Sequence, residues 1–172
     1  MPQGALEFLA HPFSGIVTPF RAATANGKRY FANCAWDAIA FHVMLQEDVS
    51  ITSFCHLCGR PIEIELSRQR VDHASPTTTV VFLALPAAQW WKDVIHSCSN
   101  TMVFFCSTDH QSAWSRLTDA QDVGAVLTIQ QVITLSIPIY RTKMALDYRR
   151  PSVAVLRAHF AEMGLTGAFW EL

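Results

Sequence analysis

The sequence predicts an α+β domain, with a mixed or antiparallel β-sheet and flanking helices. Strand-like and helix-like segments are mixed along it, without the regular strand–helix–strand alternation of a parallel sheet. Two alternating segments joined by a tight polar turn read as a hairpin. Apolar residues make up 51% of the 172 positions and charged residues 16%, which suits a large core and excludes a disordered chain. The length fits one domain over residues 1–172. A domain of that size buries roughly 70% of the surface its unfolded chain exposes.

The elements follow in chain order. Residues 1–29 read as an extended lead-in with turns at Pro12, Gly15, Pro19 and Asn26-Gly27. Residues 30–45 contain few helix breakers and many apolar positions, which predicts a helix buried on most faces. Residues 49–54 and 62–66 alternate as strands around the turn Cys55-His-Leu-Cys58-Gly-Arg-Pro61. The polar run 72–78, with Pro76, reads as a loop, and 79–85 as a buried strand. A short helix is expected over 87–95, a buried strand over 102–106, and a helix over 107–117 capped by the Ser107-Thr-Asp109 oxygens. Residues 126–135 fit helix and strand equally. A last helix is expected over 152–163, stopped by Gly164, with a packed tail through Trp170.

Charge excludes several functions. The net charge is -1 and the basic runs stop at pairs, Lys28-Arg29 and Arg149-Arg150. Neither nucleic acid nor an anionic membrane is an expected partner. No apolar run approaches the ~20 residues that span a bilayer, and no secretory signal pattern opens the chain. The five cysteines (34, 55, 58, 98 and 106) are then expected as free thiols in a reducing, cytoplasmic compartment.

Cys34-Ala-Trp-Asp37 carries the first candidate chemistry. On a helix, residues 34 and 37 share a face, so a thiol and a carboxyl point into one space. A thiolate is a soft nucleophile and a soft-metal ligand. A desolvated carboxyl moves a proton. From spacing alone the plainer reading is a core thiol and a locally bonded carboxylate. Cys98, in the polar turn His96-Ser-Cys98-Ser-Asn100 before a buried strand, is placed to converge on the same pocket. His96 is a candidate to lower that thiol's pKa, and Trp36 to line the pocket. The remaining tryptophans (90, 91, 114 and 170) read as core aromatics.

The ordered set Tyr30-Phe-Ala-Asn-Cys34-Ala-Trp-Asp37, Cys55-His-Leu-Cys58-Gly-Arg-Pro, and Cys98-Ser-Asn-Thr-Met-Val-Phe104-Phe105 with Trp114 resembles the alkylmercury lyase family. The lead-in from Pro12 to Pro19 and the run 127–140 look similar too. The resemblance spans roughly residues 10–145, leaving 146–172 as a C-terminal helix and tail. It implies an alkylmercury-lyase-like catalytic domain in a short form without the family's N-terminal helical domain. It also implies a lyase that cleaves a carbon–mercury bond by protonolysis. Cys34 and Cys98 would take the mercury of the substrate, and Asp37 would deliver the proton to carbon. Small thiols would act as co-substrate, a mercury-accepting reductase is a conceivable partner, and no resident cofactor is expected. Two other classes fit the same residues. One is an enzyme of this scaffold acting on a carbon-based substrate, with Asp37 as general acid or base. The other is a non-enzymatic soft-metal binder using Cys34 and Cys98, or Cys55 and Cys58.

Cys55-x-x-Cys58-Gly has the shape of a zinc knuckle. A full site needs two more ligands, and no second CxxC follows. His56 and His73 are near in sequence without a standard spacing. A structural turn is therefore expected there rather than zinc or a redox pair, and Cys106 is expected as a core thiol.

Overall fold

A computed structural model describes residues 11–93, 101–120 and 123–172. Strands β1 (Arg21–Thr24) and β2 (Arg29–Phe31) form a hairpin closed by Asn26-Gly27, with Gly27 at φ 84°. Helix α1 spans Ala35–Leu45. Strands β3 (Val49–Phe54), β4 (Pro61–Ser67) and β5 (Arg70–Ser75) follow. These five strands make one antiparallel sheet in the order β2-β1-β3-β4-β5.

A second antiparallel sheet has the order β7-β6-β8, from β6 (Val80–Leu83), β7 (Met102–Phe105) and β8 (Ala125–Thr128). Gly124, at φ 90°, makes the approach of β8 possible. A Cβ there would lie 2.5 Å from the Leu83 carbonyl oxygen and 2.5 Å from the Phe82 ring. Helices α2 (Thr108–Leu117), α3 (Ile129–Tyr140) and α4 (Val153–Glu162) complete the fold. The α+β class is as the sequence predicts.

Helix α1 is the central element. Its residues 35–44 are all buried, and it packs against β1, β3, β7 and α3. It is hydrophobic on every face, as a helix enclosed by a core must be. It starts five residues later than the sequence suggests. Tyr30 and Phe31 join β2, where aromatic residues fit the pleated surface. The sequence also reads 72–78 as loop, whereas residues 70–75 form edge strand β5. An edge strand faces solvent on most positions, and here only Ala74 is buried.

The ambiguous run 126–135 contains both elements. Strand β8 turns into α3 at Thr128, whose hydroxyl accepts from the Gln131 amide while the Gln131 side chain accepts from the Thr128 amide. The helix expected over 87–95 is a single 3-10 turn at Ala87–Gln89, and residues 94–100 lie outside those described. The Ser107 cap, the Ser152 cap and the stop at Gly164 are where the sequence puts them. Trp170 packs its ring against Phe160 and Trp90, closing the tail onto the core. Among the described residues no helix is long and apolar enough to cross a membrane.

Candidate active site

Cys34 is the N-cap of α1. Its backbone is extended (φ -152°, ψ 178°), and its sulfur accepts from the Asp37 amide at 3.4 Å. A helix N-terminus favours negative charge on a group placed there. Asp37 sits in the first turn of α1, and it is its backbone amide that meets the Cys34 sulfur. Both residues are fully buried. The Cys34 sulfur lies 3.9 Å from the Met102 sulfur at the start of β7. Cys98 falls outside the described residues, as does His96.

Among the described residues, Asp37 is held on one side only. The Tyr140 hydroxyl donates to Oδ1 at 2.7 Å, and His11 Nε2 lies 2.9 Å from the same oxygen. Oδ2 has no hydrogen-bond partner among the described residues. Lys143 Nζ lies 2.8 Å from His11 Nδ1. An ammonium can only donate, so Nδ1 accepts and Nε2–H points at Asp37. The Lys143 ammonium also sits over the Tyr140 ring, 4.8 Å from its centroid. Asn33 anchors this corner by donating to the carbonyls of Pro12 and Phe13, next to His11.

A cavity of about 280 Å³ adjoins the pair. Its wall includes His11 and Tyr140, which hold Asp37, and Met102, which touches Cys34. Trp36, Trp90, Trp91 and Ile139 supply apolar surface, and Tyr148 and Arg150 line it as well. Trp36 lines the cavity as expected, with its indole N–H donating to Ser136 Oγ at 2.8 Å. Trp90 and Trp91, expected as core aromatics, line it too. Burial pushes the Tyr148 phenol above its ordinary pKa, and the Arg150 charge partly offsets this. His11, Tyr140 and Lys143 are the residues that sequence reasoning missed. Tyr140 lies 103 positions from Asp37, and Lys143 132 positions from His11. No local pattern links such residues.

A second group of side chains gathers at the other end of β7. Cys55, Cys58, Cys106 and His110 present ligand atoms that all lie within 4.8 Å of one another. Cys55, Cys58 and Cys106 are free thiols. Burial opposes ionisation of Cys55. The amides of Cys58 and Cys106, the His110 ring and the Leu57 amide outweigh it and bring the pKa to about 6. Cys106 is pushed up to about 12 by burial and by neighbouring Cys55 and Cys58. His56 instead meets Phe105 and Trp114 edge to face, and His73 on β5 pairs across from Glu65 on β4. The sequence signal for the missing half was Cys106-x-x-x-His110, a one-turn spacing at the head of α2.

The fold places a buried thiol, a potential soft-metal ligand, and a buried carboxyl, a potential proton carrier, beside one aromatic cavity. The chain belongs to the alkylmercury lyase family, whose model matches residues 13–141. Asp37 and Tyr140 lie inside the matched span, and His11 and Lys143 just outside it. The alkylmercury lyase of Bacillus cereus is 28% identical over 112 residues, which is 65% of this chain and 49% of that protein. That of Streptomyces lividans is 25% identical over 66% of this chain and 51% of its own length. That of Pseudomonas putida is 30% identical over 52% of this chain and 42% of its own. The chain thus spans about half the length of the curated relatives it matches. A solved structure, the mercury-bound form of MerB2, aligns with a TM-score of 0.60 at 24% identity, over 69% of this chain and 55% of that one. That likeness supports the fold.

Proposed function

We propose that this protein is an organomercurial lyase, cleaving the carbon–mercury bond of an R–Hg compound by protonolysis. Cys34 binds the mercury as thiolate, and Cys98 supplies the second thiolate. Asp37 carries the proton. Sulfur donation to mercury enriches the carbon in electron density. The electron pair of the C–Hg bond then forms the C–H bond with the Asp37 proton. Hydrocarbon leaves, and Hg(II) stays on the two sulfurs until small thiols or a mercury-accepting partner take it. Asp37 regains its proton from solvent.

The observation that carries this reading is the state of Asp37. It is a fully buried carboxyl fixed through Oδ1 by Tyr140 and His11. Its Oδ2 is without a partner among the described residues, one helical turn from a thiol. A buried polar atom left unbonded costs about 1–3 kcal/mol, so such atoms point to function. The aromatic wall formed by Trp36, Trp90 and Trp91 suits an apolar R group.

The test is incubation with phenylmercury and excess small thiol, with benzene as the readout. Wild type releases benzene, and Cys34→Ser and Asp37→Asn do not. Absence of benzene from wild type, with the mercury retained, would make the protein a binder.

A further inference from the structure

We propose that Cys55, Cys58, Cys106 and His110 form a structural Zn(II) site, separate from the Cys34/Asp37 site. The two lie at opposite ends of β7. Met102 touches Cys34, and Cys106 follows the strand's last residue. Four residues of extended chain separate them, roughly 13 Å. The proposal is independent of whether the chain cleaves carbon–mercury bonds.

The donor set is three sulfurs and one imidazole nitrogen, a common composition for closed tetrahedral zinc. The dimensions agree. With Zn–S near 2.3 Å and Zn–N near 2.05 Å, a tetrahedron has S···N edges of roughly 3.6 Å and S···S edges of roughly 3.8 Å. Cys55 Sγ lies 3.5 Å from His110 Nδ1, and all four donor atoms lie within 4.8 Å of one another.

The backbone has the form such a site needs. Cys55 and Cys58 flank a tight turn in which the Gly59 amide donates to the Cys55 carbonyl at 2.9 Å, with Gly59 at φ 71°. The Cys106 amide donates to Cys55 Sγ at 3.3 Å. Amide donors around a sulfur spread thiolate charge, as expected of a metal ligand's surroundings. Elsewhere in the chain, β7 grips the turn directly, because the His56 amide donates to the Phe104 carbonyl at 2.9 Å. Cys106 and His110 are fixed by the Ser107 cap between them, whose hydroxyl accepts from the His110 amide at 3.2 Å. Cys58 is exposed while Cys55 and Cys106 are buried, so an ion has a way in from solvent. The metal would staple the β3–β4 hairpin to the β7–α2 junction, 51 residues apart at Cys55 and Cys106.

The test uses the full chain, purified untagged without chelator and analysed for metal by mass spectrometry. Wild type carries about one zinc per chain, and Cys34→Ala carries the same amount. His110→Ala and Cys106→Ser lose it at least about tenfold. Cobalt(II) exchanged into wild type shows the intense visible bands of a tetrahedral site and sulfur-to-cobalt charge transfer in the near ultraviolet. Should the loss variants fail to fold, His110→Cys decides, because a fourth thiolate strengthens that charge-transfer band. Four results would overturn the assignment: zinc-free or iron-loaded wild type, zinc lost with Cys34→Ala, a Cys55–Cys58 disulfide by intact mass, or an unchanged cobalt spectrum in His110→Cys.

Discussion

Replacing Tyr140 by Phe removes one oxygen and leaves the ring in place. The lost bond is the 2.7 Å donation from the Tyr140 hydroxyl to Asp37 Oδ1. Tyr140 is 3% exposed and Asp37 0%, so the bond is shielded from bulk solvent. Asp37 holds its proton in the proposed resting state, and a hydrogen bond between neutral groups contributes about 0.5–1.5 kcal/mol. For a chain of this length about 1 kcal/mol shifts Tm by roughly 2–4 °C, so Tyr140→Phe lowers Tm by roughly 1–6 °C. The assay is a double-mutant cycle with Asp37→Ala, followed by thermal and urea unfolding. Asp37→Ala removes the acceptor altogether, so the two substitutions couple by about 0.5–1.5 kcal/mol. An equal effect of Tyr140→Phe in both backgrounds would refute the reasoning, since Tyr140 would then act through packing alone.

Gly124→Ala places a methyl group against the Leu83 carbonyl and the Phe82 ring at a φ of 90°. It destabilises the β6–β8 pairing by about 1–3 kcal/mol or more, visible as a lowered urea midpoint. Trp36→Phe vacates cavity wall and leaves buried Ser136 without the indole donor. Under the proposed function, it raises KM for arylmercury compounds more than it lowers kcat, as steady-state kinetics would show. Tyr148 holds its proton more tightly when folded than when unfolded. That contribution to stability is whole below about pH 10 and is lost as pH rises through the folded pKa. Tyr148→Phe therefore flattens the alkaline fall in Tm.

Much of the fold was legible because it is written in local signals. The Ser107 and Ser152 caps, the Gly164 stop and the alternation of β3 and β4 act within a few residues. The start of α1 is not legible in the sequence because Tyr30 and Phe31 suit a buried helix and a strand equally, and only pairing with β1 decides. Strand β5 was hidden because its ladder, not its side chains, defines it. The run 126–135 was undecided because it holds the end of one element and the start of another. At the site, Cys34 and Asp37 were visible as neighbours in sequence. His11, Tyr140 and Lys143 were not, because folding alone joins them. The cysteine cluster was half visible for the same reason: its CxxC half is local, and its partners arrive on β7 and α2.

The central claim is that Asp37 delivers the proton while cysteine sulfur holds the mercury. A single turnover of phenylmercury in deuterated buffer tests both parts at once. Wild type is predicted to release benzene carrying one deuterium and to retain Hg(II) until thiol is added. Asp37→Asn is predicted to retain the intact phenylmercury without releasing benzene. Benzene released by Asp37→Asn at the wild-type rate would contradict the account.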